Sequence, residues 1–222
     1  MSKDTPPIYS LFPSHFSLLV CGPPGVGKFE WLGGLVRTYL AAGERVVFVT
    51  LDMHPREVRE RAKAIGLDLG RWEGSSFLFV DCYSANASEK LDEPPAKKMY
   101  SVSSYSNLEG LGMAISKAAT DLRPPLRVFF YTVSTLFLHN SPQAIAKFFQ
   151  IVTNRVKTNI GFIGYAVHEG VHDPLTMNLL RSLVDGVVEL RFNEAMGREV
   201  RAHHLRGIAS SPAWQPFEIA EG

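Results

Sequence analysis

Cysteine, net charge and long apolar segments are all scarce in this sequence of 222 residues. Its two cysteines, Cys21 and Cys82, are too few for a disulfide framework, and both lie in or beside apolar runs, so buried thiols are expected. No apolar run approaches the roughly 20 residues of a membrane-spanning helix. The first residues, MSKDTPPIYSLF, contain no apolar stretch of the signal-peptide type. We therefore expect a cytoplasmic protein that does not bind membranes.

Charge is almost balanced, since 23 Lys and Arg residues face 22 Asp and Glu residues for a net charge of +1. Such a chain has no overall field that would attract nucleic acid or an anionic membrane. The sequence also lacks a cluster of basic residues with interleaved aromatic residues. Binding to nucleic acid is therefore not expected.

Short β-branched or aromatic runs alternate with segments of helical period. The runs are FSLLVC (16–21), RVVFVTL (45–51), FLFVD (77–81), RVFFYTV (127–133), IGFIGYAV (160–167) and GVVELRF (186–192). Nearly continuous apolar strands are typical of a sheet covered on both faces. Ser141 followed by Pro142 indicates the start of one intervening helix. The fold class predicted is α/β, with a mostly parallel sheet flanked by helices.

Two regions depart from this alternation. Residues 84–106 are rich in Ser, Pro and Lys and lack periodicity, which predicts a mobile surface loop. After residue 192, a turn containing Gly197 and an alternating run predict antiparallel strands added to the parallel sheet. No domain linker is found, so residues 1–222 are interpreted as one domain.

The strongest motif follows the first strand directly and precedes an apolar helix. It consists of Gly22, Pro23, Pro24, Gly25, Val26, Gly27, Lys28 and Phe29, and it fits the GxxxxGK pattern of a phosphate-binding loop. Glycines let backbone N–H groups surround phosphates, the helix N-terminus adds partial positive charge, and the lysine adds a full charge. These residues predict a site for ATP or ADP.

Two residues of this predicted site do not suit a magnesium ion. The position after Lys28 normally carries Ser or Thr, whose hydroxyl binds Mg²⁺, but here it carries Phe29. A second ligand is normally an Asp that ends an apolar strand, and Tyr131 stands at that place. Because Mg²⁺ is held by few protein ligands besides phosphates and water, losing both leaves it weakly held. No metal ligand is therefore assigned.

The whole pattern resembles the archaeal KaiC-like ATPases of the RecA superfamily. The resemblance runs from about Tyr9 to Ala220 and rests on five segments: GPPGVGK, VFVTLDMHPREVRERA, YTVSTLF, LVDGVVELR and HHLRGIASSPAWQPFEI. It implies a RecA-like core, ATP as ligand, assembly into rings or filaments, and a regulatory or signalling role.

The resemblance also assigns roles to individual residues. Asp52 matches an acid that activates water, while Met53 replaces the second acid of that pair. His168, at the end of a strand, matches a position that senses phosphate. His204 and Arg206 match a Lys-x-Arg-Gly element that reaches the nucleotide of a neighbouring subunit, with His in place of Lys. A solvated basic strand is the alternative interpretation of this last element.

Two hypotheses remain open at this point. The first is an ATP-binding switch with weak or absent hydrolysis, and the second is an interaction scaffold with a vestigial nucleotide site. The sequence leaves open whether another carboxylate, from Asp81, Asp121 or Asp173, approaches the metal position. A metal site within 168–173 and a serine hydrolase built on Ser134 and His139 are both disfavoured, since neither has the residues its chemistry needs.

Overall fold

A computed structural model describes residues 12–87 and 98–219. Its strands are β1 (Ser17–Gly22), β2 (Val46–Thr50), β3 (Phe77–Asp81), β4 (Met99–Ser101), β5 (Leu126–Tyr131), β6 (Gly161–His168), β7 (Gly186–Phe192), β8 (Arg198–Leu205) and β9 (Gln215–Pro216). Its α-helices are α1 (Lys28–Ala41), α2 (Pro55–Ala64), α3 (Leu108–Leu122), α4 (Pro142–Asn159) and α5 (Pro174–Ser182).

All nine strands form one sheet in the order β4-β3-β2-β5-β6-β1-β7-β8-β9. The pairs from β4 to β7 are parallel, whereas β7 with β8 and β8 with β9 are antiparallel. The mostly parallel α/β fold and its antiparallel C-terminal strands are therefore confirmed. Because β1 is central and parallel to its neighbours, the loop that follows it lies at the carboxyl edge of the sheet, where α/β folds bind ligands.

Helices cover both faces of the sheet, as the nearly continuous apolar strands predict. Alternate residues of β1 enter different cores: Leu18 and Val20 pack with α1 and α2, while Leu19 and Cys21 pack with α3, α4 and α5. This follows from the two-residue period of a strand. Cys21 and Cys82 are both buried and free, which confirms their interpretation as thiols.

Two elements differ from the sequence prediction. The interpretation of 84–106 as one surface loop is wrong for Met99–Ser101, which forms the edge strand β4 beside β3. Its side chains are partly or fully exposed, so no apolar run marks it. Residues 88–97 of that segment lie outside the described residues. Helix α5 was not predicted, although Asp173 and Pro174 carry the same start signal as Ser141 and Pro142.

None of the helices in the described ranges is long and apolar enough to cross a membrane.

Candidate functional site

The predicted phosphate loop connects β1 to α1. β1 ends at Gly22 and α1 begins at Lys28, while Gly25 and Gly27 have φ angles of 78° and 98°. These left-handed conformations favour glycine, and a Cβ on Gly27 would lie 3.0 Å from the ring of Phe217. No side chain caps the first turn of α1. Its backbone N–H groups therefore have no side-chain partner and suit an anion.

Lys28 is 2% exposed and folds back over the loop. Its Nζ donates to the carbonyl oxygens of Gly22 and Pro23, each at 2.7 Å. Burial lowers the pKa of Lys28 to about 8, because desolvation disfavours the ammonium form. A phosphate beside this group would favour its charged form. Among the described residues, Lys28 has no anionic hydrogen-bond partner.

Aromatic rings fill the positions from which magnesium ligands were expected. The rings of Phe29 and Tyr131 pack edge to face with centroids 5.3 Å apart, and Phe48 lies 6.4 Å from Phe29. Phe29 and Tyr131 are 3% and 6% exposed. Burial holds the pKa of Tyr131 well above its ordinary value, so its oxygen stays a neutral hydroxyl. These residues do not fit a magnesium site.

The three carboxylates considered as substitutes each make other contacts, although Asp81 Oδ2 is buried with no hydrogen-bond partner among the described residues. Asp81 accepts a hydrogen bond from the N–H of Tyr83 at 2.9 Å, and Asp121 pairs with Lys98 at 2.7 Å. Asp173 caps α5. Across residues 12–87 and 98–219, no group of three or more His, Cys, Asp or Glu side chains is placed to hold a metal ion.

Asp52 and His168 both line a cavity of about 500 Å³ at the carboxyl edge of the sheet, which Ser134 and His172 also line. Burial raises the pKa of Asp52 to about 6. Burial and the charge of Lys28 lower the pKa of His168 to about 4. Asp52 Oδ1 and His168 Nδ1 are buried without a hydrogen-bond partner among the described residues. The structure therefore brings these two predicted residues together near the phosphate loop.

Ser134 has a histidine partner that the sequence did not reveal. Its Oγ lies 2.9 Å from His172 Nε2 and accepts a hydrogen bond from the N–H of His168 at 2.8 Å. His139, which the disfavoured serine hydrolase would have used, stacks on Tyr105. No sequence signal marks a pair separated by 38 positions, because only the packing of β6 beside β5 joins them.

His204 and Arg206 lie far from this chain's own phosphate loop. The interpretation of this element as one strand holds for His204 but is wrong for Arg206, because β8 ends at Leu205 and Arg206 lies in the following turn. Arg206 Nη1 is 3.1 Å from Asp185, whose carboxylate also binds the N–H of Ser17. Ser17 begins β1 and the loop follows its end, about 17 Å away at 3.3 Å per residue. Arg206 therefore has no role at the loop of its own chain.

Comparisons with known proteins bear on this fold. A family model described as "Family of unknown function (DUF7504)" matches residues 17–190. The chain belongs to this family. Among curated proteins, it is similar to a "UPF0273 protein" of Thermotoga maritima, with 24% identity over 94% of this chain and 86% of that protein. It is also similar to a "UPF0273 protein" of Aeropyrum pernix, with 27% identity over 96% of this chain and 86% of that protein.

This DUF7504 chain also resembles a solved structure, that of a KaiC-like protein from the hyperthermophilic archaeon Pyrococcus horikoshii OT3. The TM-score is 0.71, over 94% of this chain and 88% of the other. At 19% sequence identity, the likeness shows the fold. The fold expected from the resemblance to KaiC-like proteins is thereby confirmed.

The titration of Asp52 predicts how stability depends on pH. Its pKa in the folded chain is raised from 3.8 to about 6. Its contribution to stability is therefore fully present below the lower value and is lost as pH rises through the higher one. Asp52→Asn should raise the free energy of unfolding at pH 7.5 by about 1–3 kcal/mol, and by less than half of that at pH 4.5.

Urea unfolding at the two pH values measures this effect. Glu194→Gln is the matched control, because Glu194 is an exposed acid and its substitution should leave stability unchanged at both values. An Asp52→Asn effect that is equal at pH 4.5 and pH 7.5 would contradict the assigned burial of this carboxyl.

Proposed function

We propose that this chain is a nucleotide-binding KaiC-like protein whose phosphate loop takes ATP or ADP without depending on magnesium. The geometry of the loop carries the proposal: a parallel strand, two glycines with positive φ, an uncapped helix start and a buried lysine converge there. Each of these features favours phosphate binding. A simple turn between a strand and a helix would not require them together.

Hydrolysis by this site is weak or absent. Efficient phosphoryl transfer depends on positioning and on neutralising the charge that develops on the phosphoryl group, with rates of roughly 1–100 s⁻¹ in kinases. Aromatic packing at Phe29 and Tyr131 removes ionised oxygens from this position. Asp52, with a pKa of about 6, is ionised at neutral pH and is the residue proposed to orient water. A regulatory role, in which nucleotide acts as a ligand, fits such a site.

Self-association is part of the proposal. The side chain of Arg206 is 67% exposed although it pairs with Asp185, so most of this side chain is accessible to a neighbouring chain. Arginine suits phosphate because it donates two parallel hydrogen bonds. Contact with a neighbour's nucleotide would use this accessible side.

Calorimetric titration with ATP and ADP, with magnesium or with EDTA, tests nucleotide binding. The unmodified chain should bind, and EDTA should weaken binding by less than about tenfold, which is 1.4 kcal/mol. Lys28→Met should weaken binding by at least about 100-fold, since charge-assisted contacts to phosphate are lost. Lys63→Met, which alters an exposed lysine of α2, is the matched control and should bind normally.

A second candidate function is an interaction scaffold. One observation favours it, on the face of the sheet that α3, α4 and α5 cover. Helices α3 and α4 flank a cavity of about 590 Å³, where Met113 and Ile151 are 51% and 54% exposed. An apolar surface of this kind suits a protein partner. Failure of the unmodified chain to bind either nucleotide would contradict the nucleotide-binding proposal and support the scaffold.

A further inference from the structure

Arg61, on helix α2, reaches the position where the aromatic rings replace magnesium ligands. Its Cζ lies 4.3 Å from the centroid of the Phe29 ring. Its Nη2 donates to Glu30 Oε1 at 2.8 Å, and Glu30 lies in the first turn of α1, two residues after Lys28. The guanidinium is therefore held against the start of the helix that follows the phosphate loop.

Tyr131 and Asp52 also lie within range of this guanidinium. Burial is the main cause of the raised pKa of Tyr131, and Arg61 partly offsets it through its interaction with the hydroxyl. Arg61 likewise opposes the effect of burial on Asp52. The guanidinium of Arg61 thus contacts Phe29 and faces Tyr131, the two residues at the expected metal-ligand positions. It also faces Asp52, the acid that the resemblance assigns to water activation.

The side chain of Arg61 is suited to meet an anion. Arginine stays protonated at any physiological pH, and its guanidinium has five N–H donors in a fixed plane. The ion pair with Glu30 uses one nitrogen, and the Phe29 ring fixes the plane through a cation–π contact. The side chain remains 36% exposed, so donors are accessible to a ligand.

We propose that Arg61 supplies the fixed positive charge that neutralises the phosphates of a bound nucleoside triphosphate, in place of a divalent cation. This inference rests on the proposed nucleotide binding and deepens it. It gives a role to each of the two residues that replace magnesium ligands. Phe29 provides the surface on which the guanidinium stacks, and Tyr131 provides a neutral neighbour that does not compete for its charge.

A purely structural role for Arg61 is the alternative, and the same helix offers a matched control. Arg59 has the same kind of surroundings, since it pairs with Glu73 at 2.7 Å and lies 5.1 Å from the Phe79 ring centroid. Phe79 belongs to β3, whereas Phe29 follows the phosphate loop. Substitution of either arginine removes an ion pair and a cation–π contact, but only Arg61 faces the predicted nucleotide site.

The experiment compares the unmodified chain with Arg61→Gln, Arg61→Lys and Arg59→Gln in calorimetric titrations with ATP and ADP in EDTA. Thermal unfolding confirms that each variant is folded at the assay temperature. Arg61→Gln should weaken ATP binding by at least about tenfold, and weaken ADP binding less, because ADP has fewer charges to neutralise. Arg61→Lys, which keeps the charge, should lose less affinity than Arg61→Gln, and Arg59→Gln should bind like the unmodified chain.

The outcomes separate this inference from the proposed function. Equal affinity of the unmodified chain and folded Arg61→Gln for ATP in EDTA would overturn the role of Arg61 and leave nucleotide binding intact. A loss well beyond about tenfold when EDTA is added to the unmodified chain would overturn it too, since a metal ion would then carry the charge. Absence of binding by the unmodified chain to either nucleotide would contradict the proposed function itself.

Discussion

A chain that carries both Phe29→Thr and Tyr131→Asp is expected to bind ATP in a magnesium-dependent manner and to hydrolyse it measurably faster than the unmodified chain. The pair restores a hydroxyl and a carboxylate at the two positions that now hold packed aromatic rings. Magnesium needs only one or two protein ligands besides phosphates and water. Either substitution alone should do much less, because the ligands of one ion act as a unit.

The control for this experiment is the double variant Phe29→Val and Tyr131→Asn. It removes nearly the same side-chain volume but supplies neither the hydroxyl nor the charge. Both double variants should lose stability by about 3–5 kcal/mol per buried aromatic residue removed, as an upper estimate, so unfolding curves must accompany the assays. The idea fails if the Thr and Asp pair gains no dependence on magnesium, or if the Val and Asn pair gains the same activity.

The position of Arg61 adds a condition to this prediction. A new Asp at position 131 would stand beside the guanidinium that now faces the Tyr131 hydroxyl. An ion pair between them would compete with the incoming metal ion. Adding Arg61→Gln to the Thr and Asp pair is therefore expected to increase the magnesium-dependent activity further.

The sequence predicts most of the sheet because every parallel strand except the edge strand β4 is buried on both faces and forms an apolar run. The phosphate loop can be predicted equally well, since its glycines and lysine are close together in the sequence. Arg61 is different: it lies on α2, and only the packing of α2 against α1 carries it to Phe29. The pairing of Ser134 with His172 likewise depends on neighbouring strands and not on spacing.

Arg206 shows that a residue can be identified by a sequence motif while its contacts cannot be predicted. A motif match identifies Arg206 but says nothing about its partner within the chain, and the structure pairs it with Asp185 beyond the end of β8. Side chains alternate between the two faces of a sheet only while the strand stays regular. The pairing of β7 with β8 has a register shift between Val187 and Val188, close to the end of β8. Alternation could therefore not be extrapolated from the middle of the strand to its end.

Asp185→Asn is expected to lower the free energy of unfolding by about 2–4 kcal/mol at neutral pH. The Asp185 side chain is 7% exposed and joins three elements. Its Oδ2 accepts from the N–H and the hydroxyl of Ser17 at 3.0 and 2.8 Å, and it pairs with Lys157 on α4 at 2.5 Å. An amide in its place would turn an N–H₂ group toward these donors, so buried polar groups would lose their partners.

Urea unfolding measures this loss, and Arg206→Ala is the matched control at the same carboxylate. Because the Arg206 side chain is 67% exposed, its removal should cost at most about 1 kcal/mol. Burial alone would raise the pKa of Asp185, but hydrogen bonds from Lys157 and Ser17 bring it below its ordinary value. The contribution of this carboxylate is thus present above its unfolded pKa and is lost as pH falls through the lower, folded one, so the deficit of Asp185→Asn should shrink in acid. A deficit that is matched by Arg206→Ala would place the stabilising energy in the exposed ion pair and not in the buried contacts between β1, α4 and the start of β7. A deficit that is unchanged at low pH would contradict its assignment to the ionised carboxylate.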